Sequence, residues 1–439
     1  MIILAIDTSC DETSVSILND SKLICQQVSS QAALQNTWGG VVPLLAKRKH
    51  FERIEYLIGR TIYLAGNKLG WNKINRDLYK LAWFKKDLVS KPVSPLLNTE
   101  STKKYSYEQK KKISYQEETP LVTKNLILSH LETLTNPGID LIAVTVGPGL
   151  AVALEVGIQA AKRLSVAWHL NLAIINHMEA HLWSSLINNS KGKNINLHNL
   201  EAKMSELHFP ALGLLVSGSH TEIILINSYG NYEVVGETLD DAAGEAYDKF
   251  SVMLNLGYPG GAIIESLASL TKSDLVTCVN RYSLPIPLRN NGELNFSFSG
   301  LKTAALYKYK ELTLNESMNL NDIQEFAKAF QYSVNESIGL KLAKAIIKYK
   351  PKLILSGGGV IANKDLRKRI RNLAREAKIP AYFPATKFLQ DNASMVGLVA
   401  YYNSLHNRDI YPPQDVKENF PDRLPNWGIA KPYMVNPNN

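Results

Sequence analysis

Two segments of the sequence follow the same plan, and this repetition constrains the fold more than any other feature. Residues 3–18 (ILAIDTSCDETSVSIL) and 211–226 (ALGLLVSGSHTEIILI) each contain an apolar strand, a turn rich in small polar residues and a second apolar strand. Apolar runs of this length around such a turn are typical of a β-hairpin. We therefore expect two lobes of similar construction, each opened by a hairpin, with a cleft between them.

Alternating strands and helices follow each hairpin. Predicted strands include DLIAVTV (140–146), LAIIN (172–176) and KLILS (352–356). Such alternation predicts an α/β protein in which helices cover both faces of mixed sheets. The predicted helices lie at about residues 43–65, 151–168, 240–256, 322–349 and 365–377, with a last helix after residue 391.

The length and composition indicate a globular protein with more than one core. The chain has 439 residues, of which 45% are hydrophobic and 20% are charged. We divide it into an N-terminal lobe (residues 1–205), a C-terminal lobe (206–405) and a tail (406–439) whose role the sequence does not indicate. The three cysteines are far apart in sequence, so neither a disulfide framework nor a CxxC metal site is predicted.

The beginning of the chain gives an expectation about location. An apolar strand (MIILAID) starts at once, without a basic signal region, and no apolar run reaches membrane-spanning length. We therefore expect a cytoplasmic protein that is neither secreted nor embedded in a membrane.

A basic insertion lies between the first long helix and the strand at residues 140–146. Residues 68–124 contain 13 Lys or Arg and six Asp or Glu, with four tyrosines interleaved. Cations mixed with aromatic side chains can follow a phosphate backbone and stack on bases. Together with the formal net charge of +9, the insertion favours a nucleic-acid partner. A solvated loop without a binding role is the alternative interpretation.

The segment NHMEAH at residues 176–181 places two histidines four residues apart. In a helix, His177 and His181 lie one above the other on the same face, where both imidazoles can reach one metal ion. Zinc proteases place a glutamate directly after the first histidine as general base, whereas Glu179 comes two residues later, about 200° around the helix. The spacing indicates a metal site without peptide hydrolysis, or two histidines at helical spacing by chance.

A metal site needs more than two protein ligands, and the third candidate is Asp391 in the sequence LQDNASM. An Asp before Asn-Ala-Ser also fits the N-cap of the last helix. Taken alone, the sequence around Asp391 favours the capping role. Only its combination with His177 and His181 favours a ligand.

Glycine turns recur at the ends of strands in both halves. They are VGPG (146–149), VSGS (216–219), YPGG (258–261) and SGGG (356–359). Glycine lets backbone N–H groups approach a phosphate, although each single turn is also common for packing alone. Their recurrence predicts a nucleotide-type ligand in the cleft, although no Walker-type GxxxxGK[ST] sequence is present.

Nine stretches of the chain are informative in combination: AIDTSCDETSVSI, VTVGPGL, NHMEAH, LLVSGSHTEI, DDAAGEAYDKF, YPGG, FSFSGLKTA, LSGGGVIAN and DNASM. Taken in order, they resemble one family, the tRNA N6-adenosine threonylcarbamoyltransferases (TsaD-type) of the actin/Hsp70/sugar-kinase superfamily. The resemblance implies two duplicated actin-like lobes (ASKHA, RNase H-like) with mixed sheets flanked by helices and an active-site cleft between the lobes. It also implies one divalent metal per chain, iron(II) first and zinc(II) as the alternative, held by His177, His181 and Asp391.

The resemblance further implies the reaction and its partners. The threonylcarbamoyl group would pass from threonylcarbamoyl-AMP to N6 of the adenosine 3′ of the anticodon in tRNAs that read codons beginning with A. Asp11 and Glu12 match an acidic pair near the family's catalytic centre. The implied partners are tRNA, a smaller paralogous subunit and a P-loop ATPase subunit, with no membrane. The family's substrate-binding positions match Leu215, Val216, Ser217, Gly218, Ser219, Asp248, Gly261 and Asn363.

Three other functions compete with the transferase. Paired histidines suggest a metalloprotease, which the position of Glu179 disfavours. An ATP-binding kinase or chaperone of the same superfamily shares the lobes but lacks the metal triad. A non-catalytic scaffold would not need to retain the metal triad. One departure from the family pattern is Ser219, which stands where a second glycine is usual. If that position requires a positive φ, Ser219 imposes strain or a looser grip on the phosphate.

Overall fold

The chain is organised around two separate β-sheets. The computed structural model describes residues 1–36, 40–72, 132–133, 135–187, 208–314, 318–418 and 420–431. The first sheet contains β1 (Ile2–Asp7), β2 (Glu12–Asn19), β3 (Lys22–Ser30), β4 (Leu141–Gly147), β5 (Asn171–Asn176) and β11 (Ile410–Tyr411), in the spatial order β11-β5-β4-β1-β2-β3. The second contains β6 (Ala211–Val216), β7 (Thr221–Ser228), β8 (Asn231–Glu237), β9 (Ile354–Gly357) and β10 (Ala381–Tyr382), in the order β10-β9-β6-β7-β8.

The two sheets repeat one topology. Each begins with three consecutive antiparallel strands, β1-β2-β3 in the first and β6-β7-β8 in the second. In each, two further parallel strands follow on the free side of the first strand: β4 pairs with β1 and β5 with β4, and likewise β9 pairs with β6 and β10 with β9. The predicted α/β class, the hairpin that opens each half and the duplication are all confirmed.

Helices surround both sheets. They are α1 (Ala32–Asn36), α2 (Pro43–Leu69), α3 (Ala151–Trp168), α4 (His177–Trp183), α5 (Ala243–Met253), α6 (Gly260–Leu270), α7 (Leu275–Tyr282), α8 (Ser299–Thr313), α9 (Leu320–Tyr349), α10 (Lys364–Glu376), α11 (Ala393–Leu405) and α12 (Pro413–Glu418). No helix of the described residues is long and apolar enough to cross a membrane.

Local sequence explains where the longest helices begin and end. In α2, Pro43 occupies the first turn, where its missing N–H costs nothing, and Gly70 ends the helix with φ of 77°. In α9, the side chain of Asn319 accepts from the backbone of Asp322, whose carboxylate in turn accepts from the Asn319 N–H. This capping box satisfies backbone donors that would otherwise lack partners.

One apolar cluster joins the two sheets. It contains Ala173 and Ile175 of β5 together with Leu215 of β6 and Ile224 of β7, all fully buried. The helices α4 and α11 belong to the same cluster, and α4 contacts strands of both sheets. The first residue of α4 and the loop before α11 are therefore held at the junction between the two halves of the molecule.

The end of the chain returns to the first sheet. The helix α11, which belongs to the predicted C-terminal lobe, packs on β1, β2 and β5, and the strand β11 pairs with β5. The proposed lobe boundary at residues 205–206 and the basic insertion from residue 73 to 124 lie outside the described residues. The division into lobes and the role of the insertion stay predictions.

Candidate active site and metal centre

The predicted histidine helix begins directly at the end of a buried strand. Asn176 ends β5 and caps α4, since its side-chain oxygen accepts from the N–H groups of Met178 and Glu179 at 2.9 and 3.1 Å. Every residue of α4 is buried. The strand and the cap together fix the direction in which His177 and His181 leave the backbone.

His177, His181 and Asp391 come together in the structure. The Nε2 atoms of His177 and His181 lie 3.3 and 2.9 Å from Oδ1 of Asp391. Candidate ligand atoms of all three lie within 4.8 Å of one another, as expected of ligands around one ion. The N-cap role falls to Asn392, whose side chain accepts from the N–H of Met395 at 3.2 Å. The Asp391 carboxylate is therefore not the cap of α11.

The surroundings of these three side chains fit a metal ion. Nδ1 of His177 lies 3.5 Å from Oδ2 of Asp7, and both atoms are buried without a hydrogen-bond partner among the described residues. A carboxylate on the far nitrogen of a ligating histidine orients the ring and raises its basicity. The hydroxyl of Ser9 donates to Oδ2 of Asp391 at 3.2 Å. Two imidazoles and one carboxylate form a donor set that suits divalent iron with positions left open.

The charges within this group shift the proton affinities in the absence of a metal. Burial by itself lowers the pKa of His177, but the carboxylates of Asp391 and Asp7 outweigh burial and raise that pKa to about 9. Burial raises the pKa of Asp391, but the imidazoles of His177 and His181 outweigh it and hold that pKa well below its usual value. The Asp391 carboxylate is thus held in its charged form.

The Glu179 carboxylate points away from the metal group, as its helical position predicts. It is 1% exposed and pairs with the guanidinium of Arg408 at 2.8 and 2.9 Å. The hydroxyl of Tyr232 also donates to it at 2.6 Å. Glu179 therefore fastens α4 to β8 and to the loop after α11, and it is unavailable as a general base.

The metal group lies in a cleft of about 1060 Å³ between the two hairpins. Leu215 and Val216 do not line it, because they are fully buried in β6. The predicted site residues that do line it are Asp11, Glu12, His177, His181, Ser217, Gly218, Ser219, Asp248 and Asp391.

Gly261 and Asn363 lie beside a second, smaller cavity. This cavity of about 300 Å³ is lined by their chain neighbours Ala262 and Lys364, among others. The Asn363 side chain accepts from the backbone N–H of Leu366 at 3.0 Å and so caps α10. A Cβ at Gly261 would meet nothing within 4 Å, so its backbone is open to a ligand.

The acidic pair lies at the start of β2. Glu12 is 7% exposed, and the hydroxyl of Ser30 donates to it at 3.0 Å. Burial first, and then the charges of Asp11 and Asp391, raise the pKa of Glu12 well above its ordinary value. A raised pKa makes a carboxyl group a better proton acceptor.

The turn of the second hairpin is closed by its own side chains. The Ser217 hydroxyl accepts from the N–H of His220 at 3.1 Å, and the Ser217 N–H donates to the His220 carbonyl at 2.8 Å. Ser219 does not have a positive φ, so the strain expected from its replacement of glycine is absent. A Cβ at Gly244 would lie 2.5 Å from the Ser217 oxygen, and one at Gly358 2.4 Å from the Val216 oxygen. These glycines let two further segments pack against the turn.

Comparison with known proteins agrees with this geometry. The sequence profile of the family described as tRNA N6-adenosine threonylcarbamoyltransferase (TsaD) matches residues 119–398. The chain belongs to this family. A relative named tRNA N6-adenosine threonylcarbamoyltransferase from Kosmotoga olearia is 33% identical over 94% of this chain and 96% of its own length. A relative of the same name from Endomicrobium trichonymphae is 33% identical over 98% of this chain and 100% of its own length.

The matches among solved structures are more remote. A ROK hexokinase from Thermus thermophilus has a TM-score of 0.39 and 11% identity, covering 93% of this chain and 100% of that one. An activator of 2-hydroxyisocaproyl-CoA dehydratase from Clostridium difficile has a TM-score of 0.41 and 10% identity, covering 93% and 97%.

The TsaD motifs did not indicate that the C-terminal tail would form part of the cleft. Pro425 to Lys431 line it. The Leu424 N–H donates to the Val146 carbonyl at 2.7 Å, and the Gly149 N–H donates to the Pro425 carbonyl at 3.1 Å. A Cβ at Gly147 would lie 1.8 Å from the Leu424 oxygen, which explains the glycine in VTVGPGL. The tail contacts the strand end and the histidine helix, and no motif in its own sequence signals this.

Two further residues at the TsaD metal group were also missed. Asp7 and Ser9 belong to AIDTSCDET, the same stretch that supplied the acidic pair. An acid at the end of a buried strand is a signal that could have identified Asp7. Its contact with His177 depends on the pairing of β1, β4 and β5 in one sheet, which local sequence does not specify.

Proposed function

We propose that this chain transfers the threonylcarbamoyl group from threonylcarbamoyl-AMP to N6 of the adenosine 3′ of the anticodon in tRNAs that read codons beginning with A. It is a transferase of the TsaD family, and tRNA is its substrate. One observation carries the proposal for its site. The side chains of His177, His181 and Asp391 converge in a cleft that both hairpin turns also line.

The proposed donor is an adenylate, and two neighbouring cavities of the chain could bind different portions of it. The Ser217–Ser219 turn and Asp248 face the large cleft, while Gly261 and Asn363 adjoin the smaller cavity. We assign the phosphate to the turn, because Gly218 and Ser219 are exposed there and line the cleft that holds the metal group. The carbamoyl carbon then lies toward His177 and Asp391.

The family implies a divalent metal, and we propose iron(II), with zinc(II) as the alternative, held by His177, His181 and Asp391. When bound, such an ion polarises a donor oxygen and fixes the donor's orientation. The protein holds its ligands ready for the ion. Asp7 orients His177, Ser9 hydrogen-bonds Asp391, and the Glu179–Arg408 pair anchors the helix.

The N6 amine of the acceptor adenosine is a poor nucleophile because its lone pair is delocalised into the adenine ring. As the N6–C bond forms, the bond between the carbamoyl carbon and the phosphate oxygen breaks, and AMP leaves with that electron pair. One N6 proton must then be accepted. We assign this role to the Asp11–Glu12 pair, whose carboxyl groups line the cleft and in which Glu12 has a raised pKa.

Competing functions fit the geometry less well. A protease needs a base beside the metal, and Glu179 is paired with Arg408 instead. A kinase or chaperone of the same superfamily has no use for the metal triad. We further propose a cytoplasmic location and assembly with a smaller paralogous subunit and a P-loop ATPase subunit.

The test is mass spectrometry of tRNA nucleosides from cells depleted of this protein. The wild-type chain should restore N6-threonylcarbamoyladenosine, whereas a His177→Ala/His181→Ala variant should not. Lys310→Gln, which changes an exposed surface residue, is the matched control and should restore it. Unchanged levels of the modified nucleoside on depletion would refute the function, and full restoration by the histidine variant would refute the site.

A further inference from the structure

Many surface cations of this protein are neutralised by carboxylates. Lys249 pairs with Asp241 at 2.8 Å, and Arg281 pairs with Asp322 at 2.7 Å. Cations on α2 and α8, and Arg369 of α10, are paired in the same way. Single exposed lysines without an ion pair also occur among the described residues, at Lys22, Lys272 and Lys310. Several such cations on one helix face are a more specific feature.

The helix α10 carries a row of unpaired cations. Residues 364–378, which are α10 and the two residues after it, contain seven Lys or Arg and two Asp or Glu in the sequence KDLRKRIRNLAREAK. At roughly 100° per residue, four of the cations lie within about 60° of one another around the axis. All four are exposed, and none forms an ion pair with any residue that the structure describes. This row, the α10 cationic row, consists of Lys364, Lys368, Arg371 and Arg375.

The opposite face of α10 holds the helix in place. Leu366, Ile370 and Leu373 are buried in the core of the second half. Arg369, between the two faces, pairs with Glu336 of α9 at 3.0 Å. The cations of the row are therefore presented on a rigid element. Arg371 also contacts the core, since its guanidinium lies 4.9 Å from the ring centre of the buried Phe383, so Arg371→Gln loses this cation–π contact.

The large cleft is unsuited to hold a polyanion by itself. Among the described residues, its lining contains seven carboxylates and a single lysine, Lys431. A tRNA that brings one adenosine into this cleft carries a negative charge on every phosphate, so its backbone must be neutralised elsewhere. The α10 cationic row begins a short distance along the chain from the cleft. Gly359 lines the cleft, and Lys364, five residues later, lines the small cavity beside Gly261 and Asn363.

We propose that the α10 cationic row binds the phosphodiester backbone of the tRNA substrate. This inference rests on the proposed function and extends it by naming a docking surface. The row spans about 16 Å along the helix, at about 1.5 Å per residue, which is long enough to contact several consecutive phosphates. Binding there does not read sequence; it positions the tRNA while the target adenosine enters the cleft.

The test compares two variants that lose the same charge. The row variant carries Lys368→Gln, Arg371→Gln and Arg375→Gln, and it retains Lys364 because that residue lines the cavity. The control variant carries Lys22→Gln, Lys272→Gln and Lys310→Gln, three exposed lysines on other elements. Glutamine preserves helix propensity, and thermal unfolding checks that both variants are folded.

The readout is affinity for an unmodified tRNA across a salt series from about 50 to 200 mM. Each lost phosphate contact reduces the log–log slope by about 0.7 to 0.9, so the row variant should lose about 2 to 3 units of slope. At physiological salt this corresponds to an affinity about 10- to 100-fold weaker. AMP affinity, measured on the same samples, should be unchanged. A charge-preserving variant, Lys368→Arg/Arg371→Lys/Arg375→Lys, should keep the wild-type slope.

Other outcomes overturn the inference. A row variant with the wild-type slope, or a control variant that loses as much as the row variant, would show that α10 does not dock tRNA. Loss of binding to phosphatidylglycerol vesicles with tRNA affinity intact would assign the row to a lipid surface instead. If the wild-type chain binds tRNA through the row but never supports its modification, the proposed function fails while the docking surface stands.

Discussion

Replacing Arg408 by methionine tests the anchoring of the histidine helix. The Glu179 side chain is 2% exposed, and its partner Arg408 has a side chain 27% exposed. Loss of the guanidinium leaves a buried carboxylate that keeps only the hydroxyl of Tyr232 among its described partners. Removing one partner of a buried ion pair lowers the free energy of unfolding by about 3–5 kcal/mol. Because Arg408 is partly exposed, we expect a loss of about 3 kcal/mol.

The assay is urea unfolding at pH 7 for the wild type, Arg408→Met, Glu179→Gln and the double variant. Glu179→Gln removes the charge while retaining an acceptor for Tyr232, so it should cost less than Arg408→Met. In the double variant the buried Glu179 charge is gone. Asp409 loses its 3.0 Å contact with Arg408 in both Arg408 variants, so that loss cancels and the coupling free energy of the cycle should reach about 1–3 kcal/mol. Additive losses, or a loss under about 1 kcal/mol for Arg408→Met, would refute this account of the pair.

The same variants separate anchoring from catalysis. Because Glu179 faces away from the metal group, folded Glu179→Gln protein should retain its metal and its transfer activity. A protease-type base at this position would instead lose activity without any change in stability. The combination of intact activity with lower stability is the signature expected of an anchor.

Three further predictions concern the metal, a titrating carboxyl group and the tail. The purified protein should hold about one divalent metal per chain, and folded His177→Ala/His181→Ala protein should hold none, as elemental analysis can determine. Burial and the opposing Glu237 on β8 raise the pKa of Glu222 to about 7 from an ordinary 4.5. The folded state therefore binds the extra proton, so stability is greatest below about pH 4.5 as far as this group is concerned and falls as pH rises toward 7, by about 1–3 kcal/mol. Glu222→Gln should weaken the pH dependence of the free energy of unfolding over this range. A pH dependence identical to that of the wild type would contradict the assignment. Trp427, 7% exposed in the core of the first half, supports the cleft wall through its carbonyl contact with Asn176. Trp427→Ala should lower the free energy of unfolding by about 3–5 kcal/mol in urea titrations, and a loss under about 1 kcal/mol would show that the tail does not pack as described.

The sequence by itself determined the architecture and the main motifs. Apolar runs around polar turns predict hairpins because side chains alternate along a strand, and this pattern placed β1-β2 and β6-β7 correctly. The duplication of the two halves followed from these hairpins. Helical spacing alone also predicted that Glu179 faces away from His177 and His181, since position around a helix is a local property.

Tertiary structure decided which distant residues meet. Local sequence favoured Asp391 as a helix cap, and the packing of α11 on the first sheet gave that role to Asn392 and turned Asp391 toward the imidazoles. Asp7 joined the same group because β1 lies two strands from β5 in one sheet. The tail reached the cleft through backbone hydrogen bonds to Val146 and Gly149, which any residue can make. Contacts of this kind depend on the path of the whole chain, so no local pattern of residues could have predicted them.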